Sequence, residues 1–179
     1  MPHSYEFKLQ IVCGTYNRTD SAIRLIKSAI PHLNEDIGLV VHSNSPDKKL
    51  KHFMKSKGLS KYYGEHTENK GGLENFRSAI KLTNAKYIML MSDEDELESK
   101  DCFSFLKKFH ESSDYFAISQ IPNYFTMNSE SDLTYNRSQA LIRFSWVITY
   151  LSGFIFPSSI VKDEDFDVYF NDCSYTHLI

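Results

Sequence analysis

Cysteine is scarce, and the three present, Cys13, Cys102 and Cys173, form no C-x-x-C pair. An odd count at scattered positions argues against a disulfide framework and for free thiols in a reducing compartment, so the expected location is the cytoplasm. Cys13, before a glycine at the end of an apolar run, reads as a small core residue rather than a nucleophile. A dominant charge is lacking too. The formal net charge is -3, with no Lys/Arg stripe interleaved with aromatics, and no nucleic-acid partner is expected. There is no run of the ~20 apolar residues that a spanning helix needs. The most apolar stretch, 140–156, is interrupted by Arg143 and Gly153 and reads as a buried helix followed by a buried strand, with peripheral contact at the inner face of a membrane as the alternative. Residues 1–8 lack the charged-then-apolar layout of a secretory signal, so export by that route is not expected. Also missing are H-E-x-x-H, a Walker loop, G-x-G-x-x-G, and the sixth-position glycine of a calcium loop after Asp93. Zinc hydrolase, kinase, dehydrogenase and calcium-loop readings lose their support with them.

What is present is an ordinary globular composition. With 179 residues, 41% hydrophobic and 24% charged, the chain fits one domain around one core. Apolar runs at 9–13 and 37–42 read as buried strands. Between them Ala22, Ile23, Ile26, Ala29 and Ile30 recur at helical spacing, after the candidate caps Thr19, Asp20 and Ser21 and before Pro31. The pattern repeats as a polar helix at 47–57, a strand at 62–66, a helix from about Leu73 and a strand at 87–91. Further on come a helix carrying Phe103, Leu106 and Phe109 and a strand at 115–121. Strands alternating with helices predict an α/β fold, a mostly parallel sheet flanked by helices. The chain stops on Tyr175-Thr176-His177-Leu178-Ile179 with no polar tail, which gives the expectation of a C-terminal truncation.

In such sheets ligands bind beyond the carboxyl ends of the strands. Four polar segments occupy those positions: Gly14 with Thr15-Tyr16-Asn17-Arg18, Ser43-Asn44-Ser45-Pro46-Asp47, Asn69-Lys70-Gly71-Gly72, and Ser92-Asp93-Glu94-Asp95-Glu96. The last is the chemical centre. An apolar strand delivers Asp93 and Asp95 one residue apart, which on an extended chain puts both carboxylates on one side. Two hard oxygens of that kind suit Mn2+ or Mg2+ with a diphosphate as co-ligand. Asn69-Lys70-Gly71-Gly72 opens a helix and reads equally as an anion site or a plain turn.

These residues resemble the family 2 glycosyltransferases of the GT-A (Rossmann-like) fold, with particular similarity to the abequosyltransferase-like bacterial enzymes. Thr15-Tyr16-Asn17-Arg18 resembles the family's T-Y-N-R, a loop lying against the nucleotide. Ser45 and Asp47 resemble its S-x-D, and Asn69, Gly71 and Asn75 its N-x-G-x-x-x-N. Ser92-Asp93-Glu94-Asp95-Glu96-Leu97 is similar to G-D-D-D-x-L, the metal and sugar-nucleotide motif. Leu151-Ser152-Gly153 resembles L-S-G, near donor sugar and acceptor. His177 resembles a late histidine expected at the metal or diphosphate. His42 stands where relatives usually carry an Asp that reads the base.

The resemblance implies a glycosyltransferase that moves a sugar from a nucleoside-diphosphate sugar to a hydroxyl on a saccharide or lipid-linked acceptor, such as a surface-polysaccharide precursor. It implies a single domain with a nucleotide-sugar half at 1–98 and the start of an acceptor half at 99–179. The substrate-binding set it implies is Thr15, Tyr16, Asn17, Arg18, His42, Asn44, Asp47, Asn69, Gly71, Asn75, Asp93, Glu94, Ser152 and Gly153. The metal set is Asp93, Asp95 and His177. A base belongs among Glu164, Asp165, Asp167 and Asp172, with Asp165 and Asp172 carried forward. The alternatives are a domain that binds sugar nucleotide without transfer and a nucleotidyltransferase, although the latter is expected to have a glycine-rich N-terminal loop and 14–18 has one glycine.

Overall fold

A computed structural model of the chain describes residues 5–97, 103, 116–117 and 152–161. Along these the elements are β1 (Phe7–Thr15), α1 (Thr19–Ala29), β2 (Ile37–Ser43), α2 (Lys48–Ser56), β3 (Tyr63–Glu65), α3 (Gly72–Lys81), β4 (Ala85–Ser92), β5 (Phe116–Ala117), β6 (Phe154–Pro157) and α4 (Ser158–Val161). They form one six-stranded sheet in the order β3-β2-β1-β4-β6-β5. The first four strands of that order are parallel, β6 runs antiparallel to β4, and β5 antiparallel to β6. The mostly parallel α/β sheet expected from the sequence is present, and its far flank is where the direction reverses.

Strand alternation sorts the core into two layers. Leu9, Ile11 and Cys13 of β1 join Leu39, Val41, Tyr87, Met89 and Met91 on one face, beneath Leu25 and Ile26 of α1 and Leu50 and Met54 of α2. Val12, Val40, Ile88 and Leu90 point to the other face and meet Ala79 and Ile80 of α3, with Phe156 of β6. Strands buried on both sides have to be apolar almost throughout, and β2 is buried at all seven positions. Wholly buried Leu25 and Ile26 each add roughly 1.5–3 kcal/mol over an exposed position, so packing rather than capping anchors α1.

The helix start departs from expectation. α1 begins at Thr19 with Arg18 in the cap position and no side-chain cap bond. Thr19, Asp20 and Ser21 are therefore helical residues, and the Thr19 hydroxyl donates to Asp47 instead. Pro31 does not end the run outright, because residues 30–32 continue as a 3-10 turn with the proline in its first turn. Cys13 is buried and its thiol is pushed well up by that burial, in line with a core residue that is no nucleophile. Among the described residues no helix is long and apolar enough to cross a membrane. The expected helix around Phe103 to Phe109, most of the strand at 115–121 and the first part of 140–156 lie outside the described residues.

Candidate functional site

Parallel pairing brings the strand ends to one edge. Gly14 is level with His42 and Ser92, Thr15 with Ser43, and Ser43 with Glu65. The loops after β1, β2, β3 and β4 therefore open on the same side, as the sequence predicted. Because β6 is antiparallel, its leading residues Ser152 and Gly153 arrive there too. Gly153 has φ +84°, which a side chain would strain, and its N–H donates to the Leu90 carbonyl at 2.9 Å.

β4 ends at Ser92, and the next residues turn. The Asp95 N–H donates to the Ser92 carbonyl at 3.2 Å and the Glu94 N–H to the Ser92 hydroxyl at 3.3 Å. The extended-chain alternation expected to align Asp93 with Asp95 thus stops one residue too early, and the two carboxylates find partners on opposite flanks of β4. Asp93 is 1% exposed and faces β1, where the Thr15 hydroxyl donates to its Oδ2 at 2.6 Å. Arg18 Nη2 lies 3.0 Å from its Oδ1, an ion pair outside hydrogen-bond geometry, so that buried oxygen accepts no hydrogen bond. Burial raises the Asp93 carboxyl above its ordinary range, while Thr15 and Arg18 pull it down and Glu94 adds to the rise. The other arm of Arg18, Nη1, donates to exposed Glu94 at 2.6 Å. Asp95 is partly exposed and accepts from the Ser152 hydroxyl, which itself accepts the Ser92 N–H at 2.8 Å.

The remaining predicted residues divide. Tyr16 is 40% exposed in the loop after β1, and Asn17 holds φ +55°, a left-handed conformation that asparagine tolerates better than most residues. Asp47 caps α2, with Oδ1 accepting the Leu50 N–H at 2.9 Å and Oδ2 accepting from Thr19. Both of its oxygens are engaged in joining α1 to α2. Asn44 Nδ2 donates to Asn69 Oδ1 at 2.6 Å, and Asn44 Oδ1 accepts the Lys70 N–H at 2.9 Å. Asn69 Oδ1 also takes the Gly71 N–H at 2.9 Å. Two of the backbone donors that an anion cradle needs are thereby used, and Lys70 pairs with Glu68, which favours the turn over the anion site. Gly71 has φ +87° and ψ +158°, a region essentially reserved for glycine.

Asn75, 3% exposed, sits beneath this loop. Its amide nitrogen donates to the carbonyls of Thr15 at 3.3 Å and His42 at 3.2 Å, so its oxygen faces His42 Nδ1 at 2.7 Å. That assignment, inferred from the bonding network, puts the imidazole proton on Nδ1. Burial pushes the His42 imidazole down from its usual value, the Asn75 bond raises it, and neighbouring His66 lowers it. The two rings stand edge to face with centroids 4.6 Å apart, and His66 Nε2 is buried without a hydrogen bond. His66 and the Ser152–Asp95 bond escaped the sequence reading. His66 had a weak signal, as the residue after β3 at the same edge, whereas the Ser152–Asp95 bond spans 57 residues and had none.

Asp165, Asp172 and His177, with Glu164 and Asp167, lie outside the described residues. Among the described residues no three His, Cys, Asp or Glu side chains are grouped to hold a metal. Asp95 and the unbonded Oδ1 of Asp93 belong to one turn but to opposite flanks of β4, and either carboxylate suits a hard cation of the manganese or magnesium type, which needs only one or two when phosphates and water complete its shell.

The model of the family "Glycosyl transferase family 2" matches residues 10–170. No curated protein matches. The crystal structure of S. aureus TarS 1–349 superposes with a TM-score of 0.62 at 19% identity, over 89% of this chain and 49% of that one. The same protein in complex with UDP-GlcNAc gives 0.61 at 20% identity, over 89% and 48%. A mannosyltransferase, PcManGT from Pyrobaculum calidifontis, in complex with GDP-Man and Mn2+, gives 0.50 at 11% identity, over 63% and 34%. At these identities the likeness establishes the fold, a GT-A-like single domain corresponding to the N-terminal region of TarS. The chain spans about half the length of TarS 1–349.

Proposed function

This chain belongs to glycosyl transferase family 2, and from that premise we propose that it is the donor-binding part of a glycosyltransferase that moves a sugar from a nucleoside-diphosphate sugar to a hydroxyl acceptor. The observation that carries this is the acid turn at the carboxyl edge of the sheet, where a buried Asp93 is tied to β1 and Asp95 to the turn before β6. Supporting it, the solved neighbours hold UDP-GlcNAc in one case and GDP-Man with Mn2+ in another. Residues 1–98 form the donor half and 99–179 the start of an acceptor half in this proposal. In this reading the chain is abequosyltransferase-like, the acceptor is a saccharide or lipid-linked precursor, and the protein works in the cytoplasm at or near the membrane.

Asp95, with Asp93 Oδ1, would hold the divalent cation, with His177 as a further ligand. Such an ion, when bound, supplies positive charge to the departing diphosphate. The chain's own residues do the rest. Ser152 fixes the Asp95 carboxylate by its hydroxyl, and Thr15 fixes Asp93. Exposed Tyr16, in the loop after β1, offers a flat apolar face for the base, and Arg18 offers a charge for the diphosphate. If the reaction inverts, Asp165 or Asp172 takes the proton of the acceptor hydroxyl.

Thermal denaturation of the full chain with UDP- and GDP-sugars, with and without Mn2+, tests this. A true donor at 100 times its dissociation constant stabilises by about 2.7 kcal/mol, a shift of roughly 5–10 °C at this size. No Mn2+-dependent shift with any nucleoside-diphosphate sugar would sink the proposal. A domain that binds sugar nucleotide without transferring it is the competing reading. It predicts the shift without turnover.

A further inference from the structure

We propose that Arg18 is the resident counter-ion of the acid turn, displaced when a divalent cation binds, and that the freed guanidinium then meets the anionic ligand. This rests on the reading that the turn takes a cation. Asp93 is a carboxylate at 1% exposure, and its Oδ1 has charge opposite it but no hydrogen bond. The Arg18 guanidinium, half exposed, supplies that charge from 3.0 Å. Its one hydrogen bond in this cluster goes to Glu94, whose side chain is 63% exposed, so water and salt screen the grip. A buried anion is therefore neutralised by a weakly tethered arm.

A doubly charged ion at Asp93 Oδ1 outcompetes a guanidinium there, because a compact ion of twice the charge approaches the oxygen more closely. The two cations cannot share one carboxylate oxygen without strong repulsion, so Arg18 must leave. Its backbone stays where it is, fixed between left-handed Asn17 and the first residue of α1, and only the side chain swings. The natural destination is an anion arriving at the same edge, such as a nucleoside diphosphate. Metal binding would in this way both fill the turn and release a second cation for the ligand. Arg24 supplies an internal control: its Nε lies 3.3 Å from Glu96 in the same acidic run, and its partners there are Glu96 and Ser21 rather than Asp93.

The test is titration of MnCl2, with no nucleotide present, into the full-length wild type, Arg18→Gln and Arg24→Gln, read by calorimetry and by the paramagnetic resonance of free Mn2+. Arg18→Gln is expected to bind Mn2+ about tenfold more tightly, an ordinary size for coupling between competing ligands, and Arg24→Gln to stay within about twofold because an exposed charge is screened. With saturating Mn2+, UDP should bind Arg18→Gln more weakly than wild type. Unchanged or weaker Mn2+ binding by Arg18→Gln, or equal tightening by Arg24→Gln, overturns the proposal. Arg18→Met, which keeps the alkyl stem, repeats the comparison if the glutamine variant is unstable. The readout uses no sugar nucleotide, so its failure is separate from a failure of donor binding.

Discussion

The two sides of the sheet edge use polar residues in opposite ways. On the β2–β3 side, Asn44 and Asn69 bond to each other and to backbone N–H groups, and Asn75 bonds to two strand-end carbonyls and to His42, so that most polar atoms are met and His66 Nε2 is the exception. On the β4–β6 side run four successive acids, Asp93 to Glu96, of which Asp93, Glu94 and Glu96 pair with two guanidiniums, Arg18 and Arg24, and Asp95 accepts from Ser152. One side is a wall whose hydrogen bonds are already made. The other holds excess negative charge that a ligand or ion can relieve. The resemblance in the sequence treated both as binding residues, but the geometry divides them into residues that bond within the edge and residues that concentrate charge at it.

The comparison is broken most forcefully at Asn75. Asn75→Ala leaves His42 Nδ1 without its partner and takes one bond from each of the Thr15 and His42 carbonyls, the first of which still accepts the Asn44 N–H, and at roughly 1–3 kcal/mol for an unmet buried group a loss of about 2 kcal/mol is expected in urea unfolding. A loss below about 0.5 kcal/mol, the level of an ordinary surface change, would mean the wall does not depend on it. Asp95→Asn should behave oppositely. Its stability should stay within about 0.5 kcal/mol of wild type because the side chain is partly exposed. Its Mn2+-dependent affinity for a nucleoside diphosphate should fall at least about tenfold, or 1.4 kcal/mol. Unchanged affinity would remove Asp95 from the cation site. Asp47→Ala sharpens the division. It loses the α2 cap and should cost about 1 kcal/mol of stability. Nucleotide affinity in a calorimetric titration should not change, and a large loss there would return Asp47 to the binding set.

Much of the edge was legible in the sequence because strand ends are marked by a change of composition. Apolar runs closing on Gly14, Ser43 and Ser92 announce where a parallel sheet must open, and the four loops do meet there. The acid turn was legible as chemistry but not as geometry. Two acids one residue apart align only while the chain stays extended, and whether it turns depends on Ser92 accepting two N–H groups, which spacing does not reveal. Asp47 was legible in part for a related reason: an Asp before a helix is both a good ligand and a good cap, and the cap becomes visible only through its bonds to Leu50 and to Thr19, 28 residues away. The reversal of direction at β6 was illegible, since Leu90 of β4 pairs with Phe154 of β6, far along the chain, and nothing local specifies antiparallel pairing.

The smallest effect expected is also the one that separates the wall from the acid turn by sign. His42 is 6% exposed and burial lowers its pKa from the ordinary 6.5, so the unfolded chain takes up a proton before the folded one does. Glu65, Glu74 and the Asn75 bond pull the other way and His66 adds to the lowering, which leaves a net depression. Stability from this group is therefore full above about pH 6.5 and is lost as pH falls from there through the folded pKa. The urea midpoint of the wild type should drop between about pH 7 and about pH 5.5, and His42→Gln, which keeps a donor for Asn75, should show a shallower drop. Equal slopes in the two proteins would mean that His42 is not held neutral by burial, and that the β2–β3 side is less closed than its hydrogen bonds imply.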